Sequence, residues 1–139
     1  YGMFDKSQFN GDISGWNVSS VTNMGYMFSG SQFNNDISNW NVSNANTMRA
    51  MFWGSSFNED ISKWDVSNVT NMQAMFDSCP FNGDISNWDV SNAMDMGSMF
   101  KNSVFNGDIS KWVMSSYSDK HGMFTNCPIP EENKPKFED

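Results

Sequence analysis

Apolar and aromatic residues recur along the chain with a constant period of 24 residues. The first full unit runs from Phe9 through Ile13, Trp16 and Val18 to a Met-x-x-Met-Phe group that ends at Phe28. The equivalent phenylalanines and tryptophans of the later units are Phe33, Phe57, Phe81, Phe105, Trp40, Trp64, Trp88 and Trp112. Self-similarity at a fixed period predicts a repeat protein in which each unit forms one coil of a solenoid and buries its apolar residues against its neighbours.

The spacing of apolar residues within a unit predicts one strand and one short helix. Inward residues alternate from Trp16 to Val18, and these aromatic and β-branched types suit a short strand. Val21, Met24 and Phe28 lie three and four residues apart, as on one side of a helix. We therefore expect a leucine-rich-repeat-like solenoid, with a parallel sheet on one face and short helices on the other.

The repeat register also predicts the organisation of the chain. Residues 1–4 match the end of a preceding repeat, and residues 5–124 divide into five 24-residue solenoid repeats without a linker. Residues 125–139 leave the pattern and contain Pro128, Pro130 and Pro135. We expect this last segment to form a C-terminal cap and a loose tail.

The repeat resembles a known family. The pattern I-x-x-W-x-V-x-x-[V/A] is similar to the leucine-rich-repeat core L-x-x-L-x-L-x-x-N, and F-N-x-D-I-S-x-W-[N/D]-V-S-x-V-T-N-M-x-x-M-F resembles the BspA-like leucine-rich-repeat surface proteins over residues 1–124. The resemblance implies an extracellular or cell-surface protein that binds protein or glycan partners and has no catalytic residues. The usual asparagine of the core is replaced here by valine or alanine, and an asparagine ladder is expected instead in the column Asn10, Asn34, Asn58, Asn82 and Asn106.

The charge of the chain narrows the range of partners. The formal net charge is −8, from 16 acidic and 8 basic residues, and the basic residues form no cluster. This distribution disfavours nucleic acid and polybasic membrane contacts, which need grouped lysine and arginine. No apolar run approaches the ~20 residues of a membrane span.

Polar residues between the inward positions of the predicted strands are candidates for partner binding. They would face the concave surface, which repeat proteins commonly use for recognition. The candidates are Asn17, Asn41, Lys63, Asp65, Asn87, Asp89 and Lys111. The alternative is a sheet face that is simply solvated.

Trp53 is a second kind of candidate because its position in the repeat holds serine, aspartate, lysine or threonine in other units. An exposed tryptophan beside Arg49 would suit a binding hot spot. The alternative is a tryptophan folded over side chains of a neighbouring coil.

One aspartate recurs in every unit and carries two interpretations. The column consists of Asp12, Asp36, Asp60, Asp84 and Asp108. The favoured role is structural, as acceptors for turn N–H groups. The weaker alternative is calcium, because stacked carboxylates can share hard cations.

The remaining chemistry of the sequence favours a non-catalytic protein without a cofactor. His121 is the single histidine, and no nucleophile–base set or phosphate-binding loop is present. Cys79 and Cys127 are two repeats apart, too far for a disulfide between stacked coils, so we expect free thiols. The sequence therefore predicts an interaction or adhesion module that binds a protein or glycan. The alternative is a structural subunit or linker within a larger multiprotein assembly.

Overall fold

A computed structural model describes residues 1–137 and contains repeated coils in the predicted 24-residue register. Isolated parallel β-bridges join equivalent residues of successive coils, from Asn23 to Thr47, Asn71, Asp95 and Asp119. Over residues 1–137 the only regular element is the 3-10 helix Glu131–Asn133, which lies outside the repeats. The architecture is thus a solenoid-like stack of coils built almost entirely from turns. The last two residues of the predicted loose tail lie outside the described range.

The predicted helices are wrong. In each coil the segment equivalent to Met24–Ser31, here called the turn segment, consists of overlapping turns instead. The Met27 N–H donates to the carbonyl of Met24, three residues earlier in the same coil. The N–H of the next residue, Phe28, donates to the carbonyl of Met51 in the following coil. Alternate N–H groups along the segment therefore donate to the neighbouring coil, whereas in an α-helix every N–H beyond the first turn donates to a carbonyl of the same helix.

Backbone conformation in the turn segment also excludes a helix. Tyr26 has φ 58° and Gly30 has φ 61°, and the equivalent residues of the other coils also have positive φ. The left-handed conformation thus occurs at two positions in each coil, four residues apart, and each lies within a turn. Val21, Met24 and Phe28 have helical spacing because two successive turns return the chain to the same side after a similar number of residues.

The predicted strands and the parallel sheet are also wrong. The Trp16 N–H donates to the carbonyl of Ile13 at 3.1 Å, so a turn bends the chain where a strand was expected. The tryptophans of the other four coils make the equivalent bond to the isoleucine three residues earlier. Without a sheet there is no concave strand face, and residues that were assigned to that face lie on the outside of a series of turns.

The aromatic residues form the continuous core that joins the coils. Phe28, Phe52, Phe76 and Phe100 stack nearly parallel, with ring centroids 5.7 or 5.8 Å apart. A second column stacks beside the first, from Phe33 through Phe57 and Phe81 to Phe105. Isoleucine, valine and methionine columns complete the buried cluster.

Four tryptophans of the repeat column are core residues, as the sequence predicts: Trp40, Trp64, Trp88 and Trp112. Each is 4% exposed, and the indole N–H of Trp40 donates to the carbonyl of Ile13 in the preceding coil at 3.0 Å. Trp64, Trp88 and Trp112 make the same bond. Each indole thus fills the core and also satisfies a backbone carbonyl between coils. Trp16 belongs to the first coil and is 43% exposed.

The expected asparagine ladder is present. The Asn34 N–H donates to the side-chain oxygen of Asn10 at 2.8 Å, and the bond repeats up the column to Asn106. A second set of amides, in Asn44, Asn68 and Asn92, donates to serine carbonyls of the preceding coil. These side chains provide the inter-coil hydrogen bonds that a sheet would otherwise provide.

The segment after the fifth repeat packs against the last coil. Ile129 is buried, and Asn133 accepts a hydrogen bond from the Ile109 N–H at 3.0 Å through its carbonyl. The Asn133 side chain donates to the carbonyl of Asn106. Backbone groups of the fifth coil are therefore satisfied by this segment.

Candidate binding surfaces

The predicted face residues are exposed but are engaged in turns. We call the two polar columns headed by Asp12 and Asn17 the Asx face. The side-chain oxygen of Asn17 accepts hydrogen bonds from both the N–H and the hydroxyl of Ser19, at 3.0 and 2.6 Å. Asn41, Asp65 and Asp89 make the same pair of bonds with the serine two residues later. One oxygen of each side chain is therefore committed to the fold.

The aspartate column closes equivalent turns. Asp36 accepts from the N–H and hydroxyl of Ser38 at 2.9 and 2.6 Å, and these hydrogen bonds hold its pKa below the ordinary value. The neighbouring carboxylates of Asp12 and Asp60 act in the opposite direction on that pKa, because like charges repel along the column. The turn role is thus visible in the hydrogen bonds. Among residues 1–137 no three acidic, histidine or cysteine side chains group as metal ligands do.

The other three candidates, Lys63, Asn87 and Lys111, share a column that lies between the two columns of the Asx face in the sequence, and they are also exposed. Asn87 and Lys111 line a cavity of about 500 Å³ together with Asp84 and Asp108. Gly83 and Gly107 lie between these side chains, at a position that holds asparagine and glutamate in the second and third coils. Lys63 is exposed in the same column, two coils before Lys111.

Trp53 and Arg49 lie together on a separate surface formed by the turn segments. Trp53 is 47% exposed and lines a depression of about 220 Å³ that also includes Arg49 and Tyr26. The Arg49 guanidinium lies over the Tyr26 ring, 5.8 Å from its centroid. Gln73 and Asp77 of the next coil and Ser98 of the coil after it complete the polar lining. Sequence reasoning missed Tyr26, Gln73 and Asp77.

Large side chains of this depression occur at positions where the repeat varies. The position of Trp53 holds serine, aspartate, lysine or threonine in other full coils, and that of Arg49 holds glycine, glutamine or histidine. The position of Tyr26 holds glycine, alanine or serine. We call these three columns the variable face. The signal that could have identified Tyr26 is this variation, since the Asx face repeats the same turn residues in nearly every coil.

Tyr26 occupies a strained backbone position. Its φ of 58° is left-handed, a conformation that disfavours any residue with a Cβ and that glycine adopts freely. The same position holds glycine, alanine or serine in other coils, also with positive φ. The strained backbone therefore belongs to the repeat, and what distinguishes Tyr26 is the aromatic side chain that lines the depression.

The two cysteines are free thiols, as the sequence predicts. Cys79 is buried, its S–H donates to the carbonyl of Phe57 at 3.3 Å, and burial raises the pKa of the thiol. Ser55 lies 3.6 Å from that sulfur in the preceding coil. A protonated, buried thiol of this kind is a packing residue and a weak nucleophile.

Comparison with known proteins identifies the family through the repeats. A family model described as Mycoplasma protein of unknown function, DUF285, matches residues 1–80 and again residues 47–137. The chain belongs to the DUF285 family. No curated protein and no solved structure matches the chain. In the described part of this DUF285 chain, no helix has the length and apolar character needed to span a bilayer.

Proposed function

We propose that this DUF285 chain is a non-catalytic interaction module that binds a protein or glycan partner through the variable face. The observation that supports the proposal most directly is the convergence of Tyr26, Arg49 and Trp53 on one depression. Each is a large side chain at a position where other coils carry smaller or different residues. Exposed tryptophan, tyrosine and arginine are also the residue types that dominate binding hot spots.

The finer resemblance to BspA-like surface proteins extends the proposal to location and role. An extracellular or cell-surface adhesion module would need a rigid scaffold with a locally specialised surface. Stacked coils with turn-forming polar columns supply such a scaffold, and single substitutions in the variable columns can specialise it without changing the turns. The candidates of the Asx face remain a second possible contact surface for such a partner.

The test compares binding by variants that borrow residues from other coils. Trp53→Ser, Arg49→Gln and Tyr26→Ala each introduce a residue that the same column already contains. Purified wild-type protein and the triple variant are applied to an array of extracellular-matrix proteins and glycans. We expect the wild type to bind a defined subset of the array and the triple variant to lose that binding.

A matched control uses the Asx face. Asn41→Asp also borrows a residue from its own column and retains an acceptor for the Ser43 turn. We expect this variant to bind as the wild type does. Loss of binding in Asn41→Asp but not in the triple variant would move the contact surface to the Asx face and contradict the proposal.

A structural subunit of a larger assembly is the second candidate, because stacked coils present long, regular columns of side chains on which other proteins can pack. Cross-linking mass spectrometry of material from the native source distinguishes the candidates. A fixed-ratio complex with cross-links near Lys6 would support the assembly role.

A further inference from the structure

We propose that the depression between Trp53 and Asp77 binds a neutral sugar residue of a glycan, which deepens and therefore rests on the proposed function. Its volume is about 220 Å³, and its lining consists of Tyr26, Arg49, Ala50, Trp53, Gln73, Ala74, Asp77 and Ser98. This volume is below the range of about 300–1,000 Å³ typical of drug-sized ligands. It suits a single ring or side chain.

The apolar part of the depression suits a sugar ring. Trp53 is 47% exposed and offers a flat indole surface against which the C–H groups of a pyranose can lie. Ala50 and Ala74 lie beside it and leave space where a larger side chain would fill the depression. An aromatic surface with open space beside it can accept a flat, rigid ligand at low entropic cost.

The polar part of the depression offers both donors and acceptors. The Arg49 guanidinium lies over the Tyr26 ring. Within residues 1–137 the guanidinium makes no hydrogen bond or ion pair, so its N–H groups are available as donors. Asp77 accepts one hydrogen bond, from Ser78 at 2.8 Å, and retains a second oxygen. Gln73 can donate and accept. Sugar hydroxyls also donate and accept, so they match this mixed set.

Charge favours a neutral sugar over an acidic one. The depression holds one cation, Arg49, and one anion, Asp77. An acidic sugar would gain from Arg49 but would be repelled by Asp77 and by a chain of net charge −8. A peptide partner would also need a larger surface, because stable protein–protein interfaces bury about 1,200–2,000 Å².

The experiment uses saturation-transfer difference NMR with four neutral probes. These are methyl α-glucoside, methyl α-mannoside, methyl β-galactoside and methyl N-acetyl-β-glucosaminide. We expect saturation to reach the ring protons of at least one probe in the presence of the wild type. Trp53→Ser is expected to weaken the affinity for that probe about tenfold or more, as loss of a hot-spot residue does.

The matched control is Lys101→Ser, which changes the same column two coils later and outside the depression. It should leave the affinity for the probe unchanged. Urea unfolding of each variant confirms that the fold is retained. Equal binding by wild type and Trp53→Ser would place the sugar elsewhere and overturn the proposal.

The array and the NMR experiment separate the two proposals. If no probe binds but array binding to a protein is lost in the triple variant, the sugar proposal is wrong and the interaction module stands. If array binding is unaffected by the triple variant and no probe binds, both proposals are wrong. Binding of a probe that depends on Trp53 supports both.

Discussion

The tryptophans of this chain illustrate how the surroundings of one residue type decide its role. Trp64 is 4% exposed, stacks beside Phe52 and donates its indole N–H to the carbonyl of Ile37 at 3.1 Å. Trp53 is half exposed, and no partner for its indole N–H is present in residues 1–137. The first tryptophan holds two coils together, whereas the second contributes little to the scaffold.

This difference predicts unequal losses of stability. Trp64→Ala should lower the free energy of unfolding by about 3–5 kcal/mol, because it creates a cavity and leaves a carbonyl without its donor. Trp53→Ser should change it by less than about 0.5 kcal/mol. Urea unfolding followed by the fluorescence of the remaining tryptophans measures both. Similar losses at the two sites would make Trp53 a core residue.

The Asx face predicts a loss of stability in acid. Hydrogen bonds from the hydroxyl and N–H of Ser67 hold the pKa of Asp65 below its ordinary value of 3.8. Because the folded pKa is the lower one, the unfolded chain binds more protons in acid, so the contribution is complete above about pH 4 to 5 and disappears as pH falls through the folded pKa. Asp12, Asp36, Asp84, Asp89 and Asp108 have the same direction and first cause.

The double variant Asp65→Asn, Asp89→Asn isolates this effect. Asparagine occupies the same column at Asn17 and Asn41 and keeps the turn acceptor without a titratable group. We expect the urea midpoint of the wild type to fall more steeply between about pH 5 and about pH 2.5 than that of the variant. Parallel pH profiles would contradict a role for these carboxylates in acid stability.

At the scale of the element, the turn segment explains where sequence reasoning succeeded and failed. The 24-residue period identified the inward columns, because burial repeats with the coil whatever the backbone does. The helix was predicted from Met24 and Phe28, but their spacing is shared by two consecutive turns. The sequence does contain signals of the backbone: glycine, asparagine or serine at the left-handed position of Gly30 in most coils, and Asp-x-Ser or Asn-x-Ser pairs that form turns. The Tyr26 site could not be read from periodicity because function there departs from the repeat.

A pair of glycines tests the left-handed position in the turn segment. Gly54 has φ 63° and Gly15 does not have positive φ, and a Cβ at either position meets no atom within 4 Å. Gly15→Ala should stabilise the protein by about 0.4–1 kcal/mol through the unfolded state. Gly54→Ala should destabilise it, since the left-handed backbone costs an alanine about 1–2 kcal/mol. Urea unfolding measures the change in the free energy of unfolding for each variant. Changes of opposite sign would support the left-handed backbone at Gly54, and stabilisation by both substitutions would contradict it.

At the scale of the whole molecule, stability comes from contacts between adjacent coils. The aromatic columns and the asparagine ladder join equivalent residues of adjacent coils. The indole hydrogen bonds also join adjacent coils, between residues 27 positions apart in the sequence. A stack of this kind behaves as a sum of coils and nearest-neighbour interfaces. Whole coils should therefore be removable, provided that every column stays in register.

Deletion of residues 77–100 tests this view. It joins Phe76 to Lys101, so the column of Phe76 continues into Phe124 and the column of Phe57 continues into Phe105 without a shift of register. We expect a folded protein that unfolds cooperatively at lower urea, with a smaller dependence on urea because less surface is buried. Deletion of residues 77–88 removes half a coil and brings polar positions into the core columns, so it should abolish cooperative unfolding. If both deletions were equally disruptive, stability would depend on contacts beyond neighbouring coils, and the chain would not be a modular stack.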